Sequence, residues 1–192
     1  LVRLHREEGV SFRNVVTFNL DEYLPMPKES EQSYHYFMHH HLFDHIDIVP
    51  KNIHIPDGTL EGDEIDKFCR DYEKAIDAAG GIDLQILGIG RTGHIGFNEP
   101  GSFITSQTRK VFLNDLTIKD AIKDFGSRNL VPTKAITMGV GTIMQARRVI
   151  LMAWGEKKAP IIKATVEGRV SDSVPATFLQ MHSNVQFIID ES

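Results

Sequence analysis

The densest chemistry in the sequence lies between Ile82 and Ser102, IDLQILGIGRTGHIGFNEPGS, where His94, Asn98 and Glu99 stand close together. Imidazole titrates near neutrality, and a neighbouring carboxylate can hold and charge-balance it. The pair can therefore take a proton from a substrate and return it. A second pair of acids, Asp21-Glu22, is followed by Tyr23 and then by Leu24-Pro-Met-Pro27. The prolines stop a helix from starting, which places Asp21 on a strand-tip loop where its carboxylate could serve as a general base. The commoner reading of an isolated aspartate is a turn or a cap. Lys158 follows Gly155 in the first turn of an expected helix. The helix dipole disfavours a cation there, so the lysine hints at a bound anion. Arg109, Lys110 and Lys123 are further candidate anion contacts, although surface basic residues are usually only solvated.

The glycines before His94 admit two readings. Gly88-Ile-Gly90-Arg-Thr-Gly93 matches the dinucleotide pattern G-x-G-x-x-G after a strand-like run. That pattern needs a helix opening at the glycines and an acid about 20 residues on. Pro100 and Gly101 interrupt any such helix, and a nucleotide would leave His94 and Glu99 unused. The plainer alternative is a strand-to-loop junction, with His94 satisfied by a backbone carbonyl. A metal is a third thought: His35 and His39 are four apart on one helical face, but zinc sites want three or four ligands.

The elements that must position these groups follow from apolar spacing. Leu84 to Ile89 is a short apolar run bounded by glycines, as a buried parallel strand should be. Val15 to Leu20, Ala135 to Met138, Arg148 to Trp154 and Val185 to Ile189 read as further strands. Helices are expected at the start of the chain up to Glu8, from Ser33 to Ile46, from about Asp63 to Ala79 and from about Lys157 to Glu167. Ile65, Phe68, Cys69, Tyr72, Ala75, Ile76 and Ala79 form the clearest helical stripe, stopped by Gly80-Gly81. Tyr34, Phe37, Met38 and Leu42 form the expected packing stripe of the histidine-rich helix. Between Thr105 and Val131 the pattern loosens. Gly139-Val-Gly141-Thr142 then reads as a helical turn able to present backbone N–H groups to an anion. Strands alternating with helices argue for an α/β fold, mostly parallel, with helices on both faces.

At 192 residues, 41% hydrophobic and 24% charged, the chain fits one domain spanning 1–192 with a sizeable core. The net charge of −5, without a long basic run, argues against a nucleic-acid partner. No apolar stretch approaches the ~20 residues that span a bilayer, and Leu1 to Val10 lacks the apolar block of a secretory signal. Cys69, the single cysteine, excludes an internal disulfide and suits a reducing, cytoplasmic setting.

With these features in place, the chain resembles the glucosamine-6-phosphate deaminases, cofactor-free sugar-phosphate isomerases. The resemblance rests on Phe18-Asn-Leu-Asp-Glu-Tyr23, Gly93-His-Ile-Gly-Phe-Asn-Glu-Pro100, Met138-Gly-Val-Gly-Thr142 and Gly155-Glu-Lys-Lys158. The related 6-phosphogluconolactonases share the Gly-His but lack the Phe-Asn-Glu-Pro continuation. The resemblance implies a Rossmann-like fold and conversion of glucosamine 6-phosphate and water to fructose 6-phosphate and ammonia, with no metal or redox cofactor. Asp21 then matches the base that moves a proton from C2 to C1, and His94 the ring-opening group, assisted by Glu99. Lys158 matches a phosphate contact and Lys123 stands near the place of a family arginine. Glu22, Thr92 and Gly93 complete the expected substrate contacts. A homo-oligomer is expected by the same resemblance.

Two departures stand out. The family usually carries an aspartate where this chain has Thr92, and threonine can hydrogen-bond the histidine without bringing charge. The family's first strand ends in a Gly-Ser/Thr phosphate loop upstream of the Asp-Glu-Tyr motif, so the chain reads as the domain without its N-terminal unit and with a shortened C-terminal tail. The alternatives are a related sugar-phosphate isomerase or lactonase, and a non-catalytic sugar-phosphate sensor, to which Thr92 points.

Overall fold

The computed structural model describes residues 1–191. In chain order the elements are α1 (Val2–Glu8), β1 (Thr17–Phe18), β2 (Asp21–Leu24), α2 (Tyr34–His41), β3 (Ile53–His54), α3 (Asp63–Ala78) and β4 (Gln85–Leu87). There follow β5 (Arg109–Phe112), α4 (Asp115–Phe125), β6 (Lys134–Thr137), α5 (Val140–Met144), β7 (Val149–Ala153), α6 (Ala159–Glu167) and β8 (Val185–Ile189). The strands form two parallel sheets, β1-β3 and β4-β7-β8, and one antiparallel sheet, β2-β6-β5.

The main core lies on one face of β4-β7-β8. Leu87, Val149 and Leu151 alternate inward and meet Tyr72 and Ile76 of α3, Ile143 of α5, Ile162 of α6, and Leu179. Of the stripe read from α3, Ile65, Cys69, Tyr72 and Ile76 are buried, Phe68 and Ala75 are half-buried, and Ala79 is exposed just past the helix end. Tyr72 and Ile76 pack on the main core, while Ile65 and Cys69 pack with Leu24 of β2 and Ile136 of β6, so α3 clamps both sheets; fully burying one aliphatic side chain contributes roughly 1.5–3 kcal/mol. The alternation leaves Leu84, Ile86 and Ile188 on the other face, each exposed by more than 40%. Among the described residues β4 pairs with β7 alone and so forms an edge of its sheet, whereas its apolar run reads as a strand buried on both faces.

Several boundaries differ from the sequence reading, each for a physical reason. The strand expected over 15–20 shrinks to Thr17–Phe18, because only these two residues pair, in parallel, with Ile53 and His54. Asp21 is not on a loop: it opens β2, which pairs antiparallel with β6 in the register Asp21↔Thr137 to Leu24↔Lys134. Pro25 forbids a helix there but leaves the preceding extended chain free to pair. The loosened stretch contains both β5 and α4. Asn114 caps α4, its side chain accepting from the N–H groups of Leu116 and Thr117. The histidine-rich helix is shorter than expected and buries none of its residues; Phe37, assigned to its packing stripe, is 51% exposed.

Candidate active site

The site assembles where β1, β4 and β7 end, the place where open α/β sheets gather their ligands. After β4 the chain turns through Gly90 to Gly93. Gly93 adopts φ 78°, and its N–H and C=O are held by Gly90 O and Ala176 N. This returns the chain so that the His94 ring lies on Gly90. A Cβ at position 90 would fall 2.0 Å from Nε2 and Cε1 of that ring. The glycine at 90 is therefore explained by the histidine, without a nucleotide.

His94 Nδ1 lies 2.9 Å from Thr92 Oγ1 and 3.3 Å from Glu99 Oε2, and the threonine hydroxyl donates to the same Oε2 at 3.3 Å. A hydroxyl that donates to the carboxylate must accept from the ring. The network thus assigns the proton of the neutral imidazole to Nδ1 and leaves Nε2 as the acceptor. Glu99 is fixed from its other side by α4: Oε1 accepts from Thr117 Oγ1 at 2.5 Å and Oε2 from Asn114 Nδ2 at 2.9 Å. Burial pushes the Glu99 carboxyl up, but the hydrogen bonds from His94 and Thr117 outweigh it and hold the pKa below the ordinary value. Glu99 is therefore a fixed anion beside the imidazole.

Asp21 meets this loop from β2. Its Oδ2 lies near Gly96, where an added Cβ would be 3.2 Å away and would also press on Thr137 Oγ1. The loop is pinned there by Phe97 N–H donating to Thr137 Oγ1 and by Asn98 Nδ2 donating to the carbonyls of Ile95 and Met138. Burial, and then the charge of Glu22, raise the Asp21 pKa to about 7. A carboxylate with that proton affinity is poised to accept and return a proton near neutrality.

Lys158 supplies a cation to the same end of the sheet. It closes a short 3-10 turn before α6, and its Nζ donates to Ile89 O at 2.6 Å. Burial lowers its pKa; Asp120 opposes this, while the neighbouring charges of Lys123 and Arg91 add to it. Lys123 comes from α4 and Arg91 from the glycine turn, so three elements converge on one cationic cluster. Arg91 lies inside the motif loop and was not picked out by sequence; its guanidinium reaches Asp120 at 3.3 Å.

Other expected contacts take different parts. Glu22 is 1% exposed and faces backbone N–H groups of Tyr23, Tyr34 and His35 in place of substrate. Gly93 is a turn former whose backbone groups are already paired, and Thr92 joins His94 to Glu99. The N–H groups of Val140 and Gly141, expected to greet an anion, bond Ser106 Oγ at 3.0 Å and Ser106 O at 2.8 Å. A Cβ on Gly139 would fall 2.1 Å from that carbonyl, so this glycine-rich turn is a seat for the 102–108 loop. Thr137, Asn114 and Thr117 were missed, since nothing local marks a threonine as the support of a distant loop. Arg109 donates to Asn98 Oδ1 and Ser102 Oγ and, with Glu99, lines a cavity of about 420 Å³. Among the described residues, no group of three His, Cys, Asp or Glu is placed to hold a metal. His35 and His39 stack at 4.6 Å without a third such ligand.

A histidine–carboxylate pair and a second, buried carboxyl of raised proton affinity, gathered near the strand ends, define an α/β protein whose site is equipped for acid–base chemistry. Residues 1–188 match the model of the glucosamine-6-phosphate isomerases/6-phosphogluconolactonase family, and the chain belongs to that family. It is 49% identical over 191 residues to a glucosamine-6-phosphate deaminase of Thermoanaerobacter sp. (strain X514), covering 100% of this chain and 75% of that protein. A solved structure described as a monomeric glucosamine-6-phosphate deaminase superposes with TM-score 0.96 at 42% identity, over 100% of this chain and 78% of that one. The 6-phosphogluconolactonase of Thermotoga maritima shares the fold, with TM-score 0.70 at 23% identity over 94% of this chain and 75% of its own. Among the described residues no helix is long and apolar enough to cross a membrane.

Proposed function

We propose that the protein is a glucosamine-6-phosphate deaminase, converting glucosamine 6-phosphate and water to fructose 6-phosphate and ammonia. The observation that carries the reading is the His94–Thr92–Glu99 network set beside Asp21, on a chain that shares its whole length with deaminases at 42–49% identity.

His94 Nε2 takes the proton of the anomeric hydroxyl and delivers one to the ring oxygen, which opens the pyranose. Glu99 stabilises the imidazolium that forms between these transfers. Asp21 then removes the proton from C2 of the open aldehyde while a proton of the 2-ammonium group passes to O1, giving an enolamine, and returns its own proton to C1. The product is an imine at C2, which water hydrolyses to the ketone with loss of ammonia. Proton removal next to a carbonyl needs a fixed base of suitable pKa, and Asp21 meets both conditions. Lys158, with Lys123 and Arg91, receives the phosphate. The expectation of a homo-oligomer finds no support in the comparisons, and the related structure at TM-score 0.96 is described as monomeric.

The test is a coupled assay for both products. Ammonia and fructose 6-phosphate should appear in equal amounts from glucosamine 6-phosphate, and solvent deuterium should enter at C1. Binding of the sugar phosphate without either product would leave a sensor and sink the reading.

A further inference from the structure

We propose that Arg109 is a positioning residue for this reaction: acting through the Asn98 amide, it holds the loop of His94 and Glu99 against the strand of Asp21. The inference rests on the proposed deamination. In the antiparallel sheet Asp21 stands opposite Thr137, and Thr137 stands opposite Arg109. Directly opposed residues of adjacent strands project to the same face, so the three side chains form one row. That row meets three consecutive residues of the loop. Asp21 Oδ2 and Thr137 Oγ1 lie 3.2 and 2.9 Å from the place a Cβ on Gly96 would take. Thr137 Oγ1 accepts from Phe97 N at 3.1 Å, and Arg109 Nη1 donates to Asn98 Oδ1 at 2.9 Å.

Asn98 is fully buried, and Arg109 decides which way its amide faces. Nδ2 uses both protons, on Ile95 O and Met138 O at 2.8 Å each. With the amide reversed, its oxygen would face two carbonyls and its NH2 would face the guanidinium. One orientation alone satisfies all three contacts. Met138 N in turn donates to Leu20 O at 2.7 Å, next to Asp21 in the chain. The Asn98 amide therefore joins the loop of the ring-opening pair to the strand of the base. Arg109 Nη2 also donates to Ser102 Oγ at 3.2 Å, so one guanidinium grips the loop on both sides of Glu99. Its remaining acceptor is Gln107 O at 3.3 Å. All three acceptors are neutral oxygens, and the rigid planar fork of a guanidinium is suited to imposing a direction on them.

The experiment measures kcat and KM for the wild type, Arg109→Met, Arg109→Lys, Asn98→Ala and the Arg109→Met/Asn98→Ala double variant. Arg109→Met should lower kcat by up to about 10²-fold, as a misplaced reacting group does. KM should hold, because the cationic cluster proposed to receive the phosphate lies on other elements. Arg109→Lys keeps a donor within reach of Asn98 Oδ1 and should recover most of the rate. Since Arg109 acts through Asn98, adding Arg109→Met to Asn98→Ala should slow that variant no further. Losses that multiply in the double variant overturn the proposal, as do equal rates for methionine and lysine or a change confined to KM. If Asn98→Ala does not fold, hydrogen exchange of the Asn98 side-chain amide decides, read by NMR in wild type and Arg109→Met. Its buried, bonded protons should lose protection in the variant, and unchanged protection overturns the proposal. A wild-type enzyme that releases no ammonia would refute the underlying reaction instead, and the exchange measurement does not depend on turnover, so the two failures are distinguishable.

Discussion

Replacing Asp21 with asparagine is expected to stabilise the folded protein while it removes the reaction. The native pKa of Asp21 is about 7 against an ordinary value of 3.8. Between those values the folded state binds more protons than the unfolded one, so stability falls as pH rises through the window. Three pKa units correspond to about 4 kcal/mol at 1.36 kcal/mol per unit, fully developed above pH 7 and absent below the unfolded pKa. Roughly 2–3 kcal/mol of this should develop between pH 5 and pH 8. Asparagine cannot ionise, so the variant should lack this slope. Its other packing and hydrogen-bond changes are constant with pH and cancel in the comparison. Urea unfolding of wild type and Asp21→Asn at the two pH values measures the difference directly. The stability of the variant relative to wild type should grow by about 2–3 kcal/mol at the higher pH. Deamination should meanwhile fall by about 10²–10⁴-fold, as loss of a general base does, and deuterium incorporation should stop with it. A gap that stays constant between pH 5 and pH 8 would show that Asp21 is not held at a raised pKa and refute the argument.

Other predictions address neighbouring parts of the site. Gly90→Ala places a methyl 2.0 Å from the His94 ring; the displaced imidazole should lower kcat by about 10²-fold, as misplacement of a reacting group does, and unaltered kinetics would contradict the stacking. Thr92→Val keeps the shape but breaks the link between His94 and Glu99, so kcat should fall while KM holds, and Thr92→Ser should restore most of the rate. Equal kinetics for valine and serine would remove Thr92 from the network. Lys158→Met should raise KM for glucosamine 6-phosphate by about 10-fold or more, the equivalent of one charge-assisted hydrogen bond of ~1.5–3 kcal/mol, with a smaller rise for Lys123→Met. Ser106→Ala unpairs Val140 N, which costs about 1–3 kcal/mol of stability; a melting temperature unchanged from wild type would mean that this loop is not seated as described.

Much of the site is local and therefore legible in sequence. His94, Thr92 and Glu99 lie on one turn, so their spacing already brought them within reach, and the stripe of α3 announced its buried face by its 3.6-residue period. The family could be named from four short motifs for the same reason, because each motif is a loop carrying its own chemistry. Tertiary structure decided what those loops are held by and what each acid faces. Whether Glu22 met substrate or backbone depended on α2, whose start arrives from twelve residues away. Whether the turn at Gly139 greeted an anion depended on Ser106, more than thirty residues earlier, taking its N–H groups first. The strength of Asp21 as a base is likewise a property of its burial by β2, β6 and the 94–98 loop together. Hydrogen-bond competition and desolvation are set by what packs in three dimensions, and no spacing along a single chain encodes them.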